Sequence, residues 1–275
     1  MIVDKINAYL TQKNTTLDEA LRSEVEKLAG MAFHRQFMQD REDKPGTLRL
    51  SSCGKCPRQL AYGYHEYTKI GKEIDSRAKL VFWLGDLAEL TVISLAKLAG
   101  CQLVGTGLNQ LTIKIKIGEA EIEGHPDGLV IDQEADEKIK LLEVKSMNSF
   151  AFAEFERGNI EPSYQYQLNG YLHALGLETA VMVALNKDSG VLNERIITKD
   201  PKIVEKIKEN LTSVLQSTQE NLPNRAFTPN DKNFLPWNCL YCGYWGQCYP
   251  KAKKVLVGKA YRLMVPKEEK IEVPF

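Results

Sequence analysis

Asp127, Glu143 and Lys145 are two carboxylates and an ammonium on adjoining segments of the chain. Residues 129–132 and 139–142 read as two short β-strands, and the polar run 133–138 reads as their hairpin loop. Asp127 then starts one strand, and Glu143 and Lys145 lie near the end of its neighbour. Side chains two apart on a strand share a face, so Glu143 and Lys145 point the same way and Val144 enters the opposite layer. Antiparallel pairing brings Asp127 beside them. Such a face offers hard oxygen ligands to Mg²⁺ or Mn²⁺, with a lysine to orient water or stabilise developing charge. The competing reading is a solvated hairpin with surface charges. The apolar neighbours of Glu143 argue instead for a buried strand, where a charge needs a partner.

Sulfur supplies a second chemistry. Cys239, Cys242 and Cys248 stand at C-x₂-C-x₅-C in a short loop between Trp237 and Pro250. Packing alone does not explain three thiols so close together. Upstream, Cys53-x-x-Cys56 reads as half of a zinc site or as a redox pair, with buried or incidental thiols as the plain alternative. Pro57 suits the first turn of a helix and places Cys56 at its cap. Four thiolates suit a [4Fe–4S] cluster or tetrahedral zinc, and spacing does not choose between them. Cys101 reads as a buried thiol.

The positioning elements follow from periodicity. Leu17, Leu21, Val25, Leu28 and Ala32 make one apolar helical face, with Thr16 as N-cap and Glu19 as its capping-box partner. A longer helix is capped by Asp75 or Ser76, carries the stripe Leu80, Trp83, Leu84, Leu87, Leu90, Val92, Leu95 and Leu98, and ends at Gly100. Glu89 falls beside that stripe, where a carboxylate needs a partner, although a surface Glu is the plain alternative. Gly85 costs about 1 kcal/mol against Ala in a helix and suggests close approach of a strand or a DNA backbone. Residues 111–117 alternate as a half-buried strand. Ser149 caps a short helix containing Phe150, Phe152 and Phe155. Pro162 opens another helix, closed by Gly176. Residues 179–185 and 191–197 form a strand pair turning at Asp188-Ser189-Gly190, and 201–220 form an amphipathic helix. The tail after residue 251 ends in a short β-like run. The order of elements makes the class mixed α/β.

Composition bounds the rest. The 275 residues hold 36 basic and 36 acidic side chains, so the chain is formally neutral. That is not the profile of a general nucleic-acid binder, but metal ions and local basic patches can supply a positive field. No apolar run is long enough to span a membrane, and the first residues lack a signal-peptide pattern. The expectation is a cytoplasmic protein whose six cysteines are metal ligands or buried thiols.

Taken together, these residues resemble RecB-like PD-(D/E)XK nucleases with an iron–sulfur cluster. That group includes the nuclease domain of AddB and the fourth family of CRISPR-associated (Cas) proteins. Five features carry the resemblance, in the family's order: Cys56 with Pro57 and Arg58; Gly85 and Glu89; Gly124-His125-Pro126-Asp127; Glu143-Val144-Lys145; and Gln167-x-x-x-Tyr171, before the closing Cys239, Cys242 and Cys248. The resemblance implies a restriction-endonuclease-like core, a central mixed β-sheet flanked by helices, with an iron–sulfur clasp. It implies a helical region over 1–47 and a nuclease domain over 48–275. Glu89, Asp127, Glu143 and the Val144 carbonyl would hold Mg²⁺ or Mn²⁺. Lys145 would act in catalysis, and Gln167 and Tyr171 would support DNA binding and the site. Cys56, Cys239, Cys242 and Cys248 would hold a [4Fe–4S] cluster, the Pro-Arg context favouring Cys56 over Cys53. His125 reads as a neighbour of the site or a surface residue rather than a ligand. The implied activity is a DNA exonuclease on single strands or ends, in recombination, repair, phage DNA processing or CRISPR adaptation. The alternatives are a prespacer-trimming endonuclease with integrase partners and a non-catalytic, cluster-containing DNA-binding module. The expected partners are DNA and recombination proteins or a CRISPR integrase, with no membrane.

Overall fold

The computed structural model describes residues 1–12, 18–38, 46–67, 76–134 and 137–266. Among them the elements run α1 (Ile2–Leu10), α2 (Glu19–Phe37), α3 (Pro57–Tyr64) and α4 (Ser76–Leu98). Strands β1 (Gln102–Val104), β2 (Ile113–Ile117), β3 (Ala120–Gly124), β4 (Gly128–Ile131) and β5 (Ile139–Met147) follow. Then come α5 (Ser149–Glu156), α6 (Pro162–Leu175), β6 (Thr179–Asn186), β7 (Leu192–Thr198) and α7 (Pro201–Leu215). The described residues end with the single turns α8 (Trp237–Leu240) and α9 (Trp245–Cys248) and the hairpin β8 (Lys253–Val257) and β9 (Ala260–Met264).

By its internal contacts the chain forms two units, one of residues 1–43, 49–54 and 74–209, the other of 44–48, 55–73 and 210–275. The first is built on a five-stranded sheet in the order β1-β4-β5-β6-β7. Only β5 and β6 are parallel, so the sheet is mixed, and the β5–β6 crossover carries α5 and α6. The alternation expected on β5 holds: Leu142 and Val144 enter a core with Val181 and Val183, against Ile2 and Ile6 of α1 and Val92, Ile93 and Ala96 of α4. A parallel strand covered on both faces is apolar over a run, which is why β6 reads Ala180–Ala184 without a buried polar side chain.

Several ends differ from the sequence reading. The N-cap of α2 is Asp18, whose side chain accepts from the Ala20 N–H at 2.8 Å; Thr16 and Asp75 lie outside the described residues. Asn148, not Ser149, caps α5, accepting from the Ala151 N–H at 2.8 Å. An Asn one residue earlier places its carbonyl where the third N–H of the helix can reach it. Helix α7 stops at Leu215 rather than 220. Gly100 and Gly176 close their helices at φ +77° and +67°, as expected. The first half of the α4 stripe is not core: Leu80 and Leu84 are each half-exposed. At Gly85 the nearest atom to an added Cβ is Ser146 Oγ at 3.9 Å, an ordinary contact, so β5 approaches there without requiring glycine.

The second unit has a small core of Leu235, Tyr249, Ala252, Leu263 and Val265, with Cys239, Leu240, Trp245 and Cys248 packed on it. Tyr62 of α3 stacks on Tyr244 at 5.5 Å. Arg58 donates to the Pro223 carbonyl at 2.9 Å and to the Tyr62 hydroxyl at 3.2 Å. The hairpin β8–β9 falls on the Lys-rich start of the tail, where no strand was expected, and the short β-like run expected at the end of the tail lies outside the described residues.

Candidate active site

Strand β5 runs to Met147, so Glu143 and Lys145 sit inside a strand rather than at its end. Gly128 pairs with Leu142 across β4 and β5, and Asp127 precedes that pair by one residue. The register therefore brings Asp127 opposite Glu143. Asp127 Oδ2 accepts from the Val144 N–H at 2.7 Å, which ties the start of β4 to the middle of β5. Glu143 is 1% exposed. One of its oxygens, Oε1, accepts from Lys145 Nζ and from Gln167 Nε2, the latter at 2.8 Å. The other, Oε2, is buried without a hydrogen-bond partner.

Helix α6 supplies the opposite wall. Gln167 also donates to the Tyr171 hydroxyl at 3.3 Å, and that hydroxyl donates to the His125 carbonyl at 3.3 Å. The Lys145 ammonium lies 5.4 Å from the centre of the Tyr164 ring. Tyr164, Gln167 and Tyr171 are three and four residues apart, one face of a helix. Tyr164 was missed by motif reading, although that spacing is its signal. Gly124 lets α6 approach: an added Cβ would lie 2.6 Å from the Tyr171 ring and 2.9 Å from Leu50 Cβ. The His125 side chain is exposed and lies 3.3 Å from the Thr112 hydroxyl.

Helix α4 brings the third carboxylate. Burial and then Glu143 push Glu89 up from 4.5 to about 7, against the pull of Lys145. Asp127 is raised well above the usual carboxylate range by burial, then by Glu143 and Glu89. Burial opposes the charge on Lys145, but Glu143 and Asp127 outweigh it and hold the ammonium proton more tightly than usual. Burial, then Glu143, raises the Tyr171 hydroxyl. Asp86, one turn before Glu89, is already paired, with Arg35 at 2.8 Å and Gln36 at 2.7 Å. Neither partner was legible in sequence, because only the packing of α2 on α4 delivers them. Beside Glu89 a groove of about 390 Å³ opens between these helices, with Arg35, His34, Lys97 and Gln110 among its lining.

Hydrogen bonds thus join Asp127, Glu143, Lys145, Gln167 and Tyr171, with Glu89 within electrostatic reach of them, while the Val144 side chain lies in the opposite layer. Among the described residues, however, no three His, Cys, Asp or Glu side chains stand close enough to hold a metal ion. Lys145 takes one oxygen of Glu143, and the Val144 N–H takes one of Asp127. The donor set still fits a hard cation. Three carboxylates share one buried region, two with raised proton affinity and one with an orphaned oxygen.

In the second unit, Cys56, Cys239, Cys242 and Cys248 line one pocket with Arg58 and Arg225. Cys56 is the N-cap of α3, as Pro57 predicts. Burial, then Cys248, Cys242 and Cys56, pushes the Cys239 thiol up to about 12. Burial also raises Cys242 and Cys248, while Arg58 and Arg225 favour the thiolate of Cys248. Four soft sulfurs beside two guanidiniums fit an anionic iron–sulfur or zinc centre in kind, though they are not drawn to ligating distance. Cys53 belongs to the first unit. It is fully buried, its thiol donates to the Tyr166 carbonyl at 3.3 Å, and burial pushes it up to about 12.

No protein-family model matches the chain. No curated protein matches it either. Among solved structures it is similar to SSO0001, at 19% identity, covering 80% of this chain and 93% of that one, TM-score 0.46. The alkaline exonuclease LHK-Exo from Laribacter hongkongensis is 17% identical, covering 68% and 90%, TM-score 0.41. A phage-related exonuclease from Haemophilus somnus 129PT is 14% identical, covering 61% and 91%, TM-score 0.37. These likenesses are too distant to assign the chain a family. No helix among the described residues is long and apolar enough to cross a membrane.

Proposed function

We propose that the chain is a Mg²⁺- or Mn²⁺-dependent deoxyribonuclease that hydrolyses phosphodiester bonds at DNA ends or in single strands. The observation that carries this reading is the electrostatic coupling of Glu89, Asp127 and Glu143 around Lys145, with Glu143 Oε2 buried and unpartnered. Buried carboxylates cost free energy unless positive charge offsets them, and a single lysine does not neutralise three. Glu89, Asp127, Glu143 and the Val144 carbonyl would hold it. When bound, it supplies Lewis acidity to the scissile phosphate and lowers the pKa of water.

The protein groups have separate tasks. Lys145 keeps its proton through neutral pH and donates to the charge that develops as water attacks phosphorus and the P–O bond to the leaving sugar breaks. Gln167 fixes the rotamer of Glu143, and Tyr171 fixes Gln167 by anchoring to the His125 carbonyl. In the other unit, Cys56, Cys239, Cys242 and Cys248 would hold a [4Fe–4S] cluster that braces a segment with a small core of its own. The same residues serve recombination, repair, phage DNA processing or CRISPR adaptation in the cytoplasm, with recombination proteins or an integrase as partners. The test is digestion of end-labelled single-stranded, duplex and circular DNA with Mn²⁺ or Mg²⁺. Loss of label from linear DNA with intact circles is expected. No cleavage of any substrate by metal-loaded protein would overturn the reading.

A further inference from the structure

Charge is unevenly placed in this neutral chain. Between Asp231 and Glu268 there is no acidic residue, yet the interval carries six lysines and one arginine. Five of these cations, Lys251, Lys253, Lys254, Lys259 and Arg262, lie on or beside the β8–β9 hairpin, and all five are exposed. Among the described residues no carboxylate pairs with any of them. Across the hairpin Lys254 pairs with Leu263, Val255 with Arg262 and Leu256 with Tyr261. Leu263 enters the core of the unit, which anchors the base. The distal part is uncovered, with Leu256 61% and Tyr261 54% exposed.

Aromatic rings are interleaved with these cations. The Lys254 ammonium lies 4.6 Å from the Tyr261 ring centre, and the Arg262 guanidinium 5.6 Å from that of Phe234. Turn α8 packs on β9 and carries Trp237 and the adjoining Tyr241, exposed by 62% and 65%. A hairpin that serves only solubility mixes both signs of charge and does not carry exposed rings. Cations of one sign beside solvent-exposed aromatic side chains match a polynucleotide strand, whose phosphates meet ammonium groups and whose bases stack. An acidic protein surface would use the cations but leave the rings idle.

We propose that the β8–β9 hairpin and the Trp237–Tyr241 turn form a binding surface for single-stranded nucleic acid, separate from the carboxylate site. It rests on the nuclease reading only in taking that strand to be the substrate. The test is binding of a fluorescein-labelled oligothymidylate to the full chain in EDTA, by anisotropy over a range of NaCl concentrations. EDTA withholds the divalent metal, so binding is read whether or not the chain cleaves DNA. Combined Lys253→Ala, Lys254→Ala and Lys259→Ala should lower the slope of log affinity against log salt by about 2, and affinity roughly tenfold at moderate salt. Tyr261→Ala should weaken binding roughly tenfold with the slope unchanged. Far-UV circular dichroism should match wild type, because the replaced side chains are exposed. Unchanged affinity and slope in the triple variant would overturn the proposal. So would wild-type protein that binds phosphatidylserine vesicles but not the oligonucleotide.

Discussion

Replacing Glu89 with Gln should stabilise the metal-free protein. In the fold Glu89 is pushed up from 4.5 to about 7, chiefly by burial and then by Glu143. A carboxylate whose folded pKa exceeds its unfolded value costs stability above the unfolded value. The cost begins near pH 4.5, grows until about pH 7 and is constant beyond. At about 1.36 kcal/mol per tenfold change in proton affinity, the full shift corresponds to roughly 3 kcal/mol. Glu89 is only half-buried, and solvent screening leaves about 2 kcal/mol. Gln keeps the volume and removes the charge, so its melting temperature in EDTA at pH 8 should lie roughly 4–8 °C above wild type. The gap should close as the pH falls toward 5. With Mn²⁺ present the order should narrow or reverse, because a ligand stabilises only the protein that binds it. Thermal melts followed by circular dichroism at pH 5 and 8, with EDTA and with Mn²⁺, read all four cases. A Gln variant less stable than wild type in EDTA at pH 8 would refute the reasoning, since Glu89 would then be held by a favourable ion pair.

Three further outcomes follow from the same geometry. Mn²⁺ binding should strengthen from pH 6 to pH 8 and release protons, because Glu89 and Asp127 hold theirs unusually tightly; calorimetry in buffers of different ionisation enthalpy measures the release. Gly124→Ala should cost about 1–3 kcal/mol in urea unfolding, since its Cβ would press on Tyr171 and Leu50; an unchanged midpoint would remove the close approach of α6 from the account. Anaerobically purified protein should contain iron and sulfide and absorb in the visible, and Cys239→Ala, Cys242→Ala, Cys248→Ala or Cys56→Ala should bleach it while Cys53→Ala does not. Zinc without iron would replace the cluster by a zinc site.

The parts of this arrangement that were legible in sequence are those with a short-range cause. Glu143 and Lys145 share a face because they are two apart on a strand, and Asp127 meets them because β4 and β5 are joined by a hairpin. Gln167 and Tyr171 are one helical turn apart. Cys56 is fixed as a helix cap by Pro57. What was not legible depends on distant segments meeting. Arg35 and Gln36 reach Asp86 only once α2 lies on α4, and the exposure of Leu80 and Leu84 follows from which half of α4 the sheet covers. Caps moved by one or two residues, from Thr16 to Asp18 and from Ser149 to Asn148, because neighbouring Asp, Asn, Ser and Thr side chains compete for the same N–H groups. The β8–β9 hairpin was not read as strands because its exposed face carries Lys and apolar residues without the clean alternation of a half-buried strand.

The central claim is that the carboxylates around Lys145 form a phosphodiester-hydrolysing site. The most direct measurement is the rate at which wild type, Asp127→Asn and Lys145→Ala release label from end-labelled single-stranded DNA at saturating Mn²⁺, each variant first shown to be folded. Wild type should cleave, and both variants should lose several orders of magnitude, since metal and electrostatic stabilisation carry most of such a reaction. Cleavage by both variants at the wild-type rate would contradict the account.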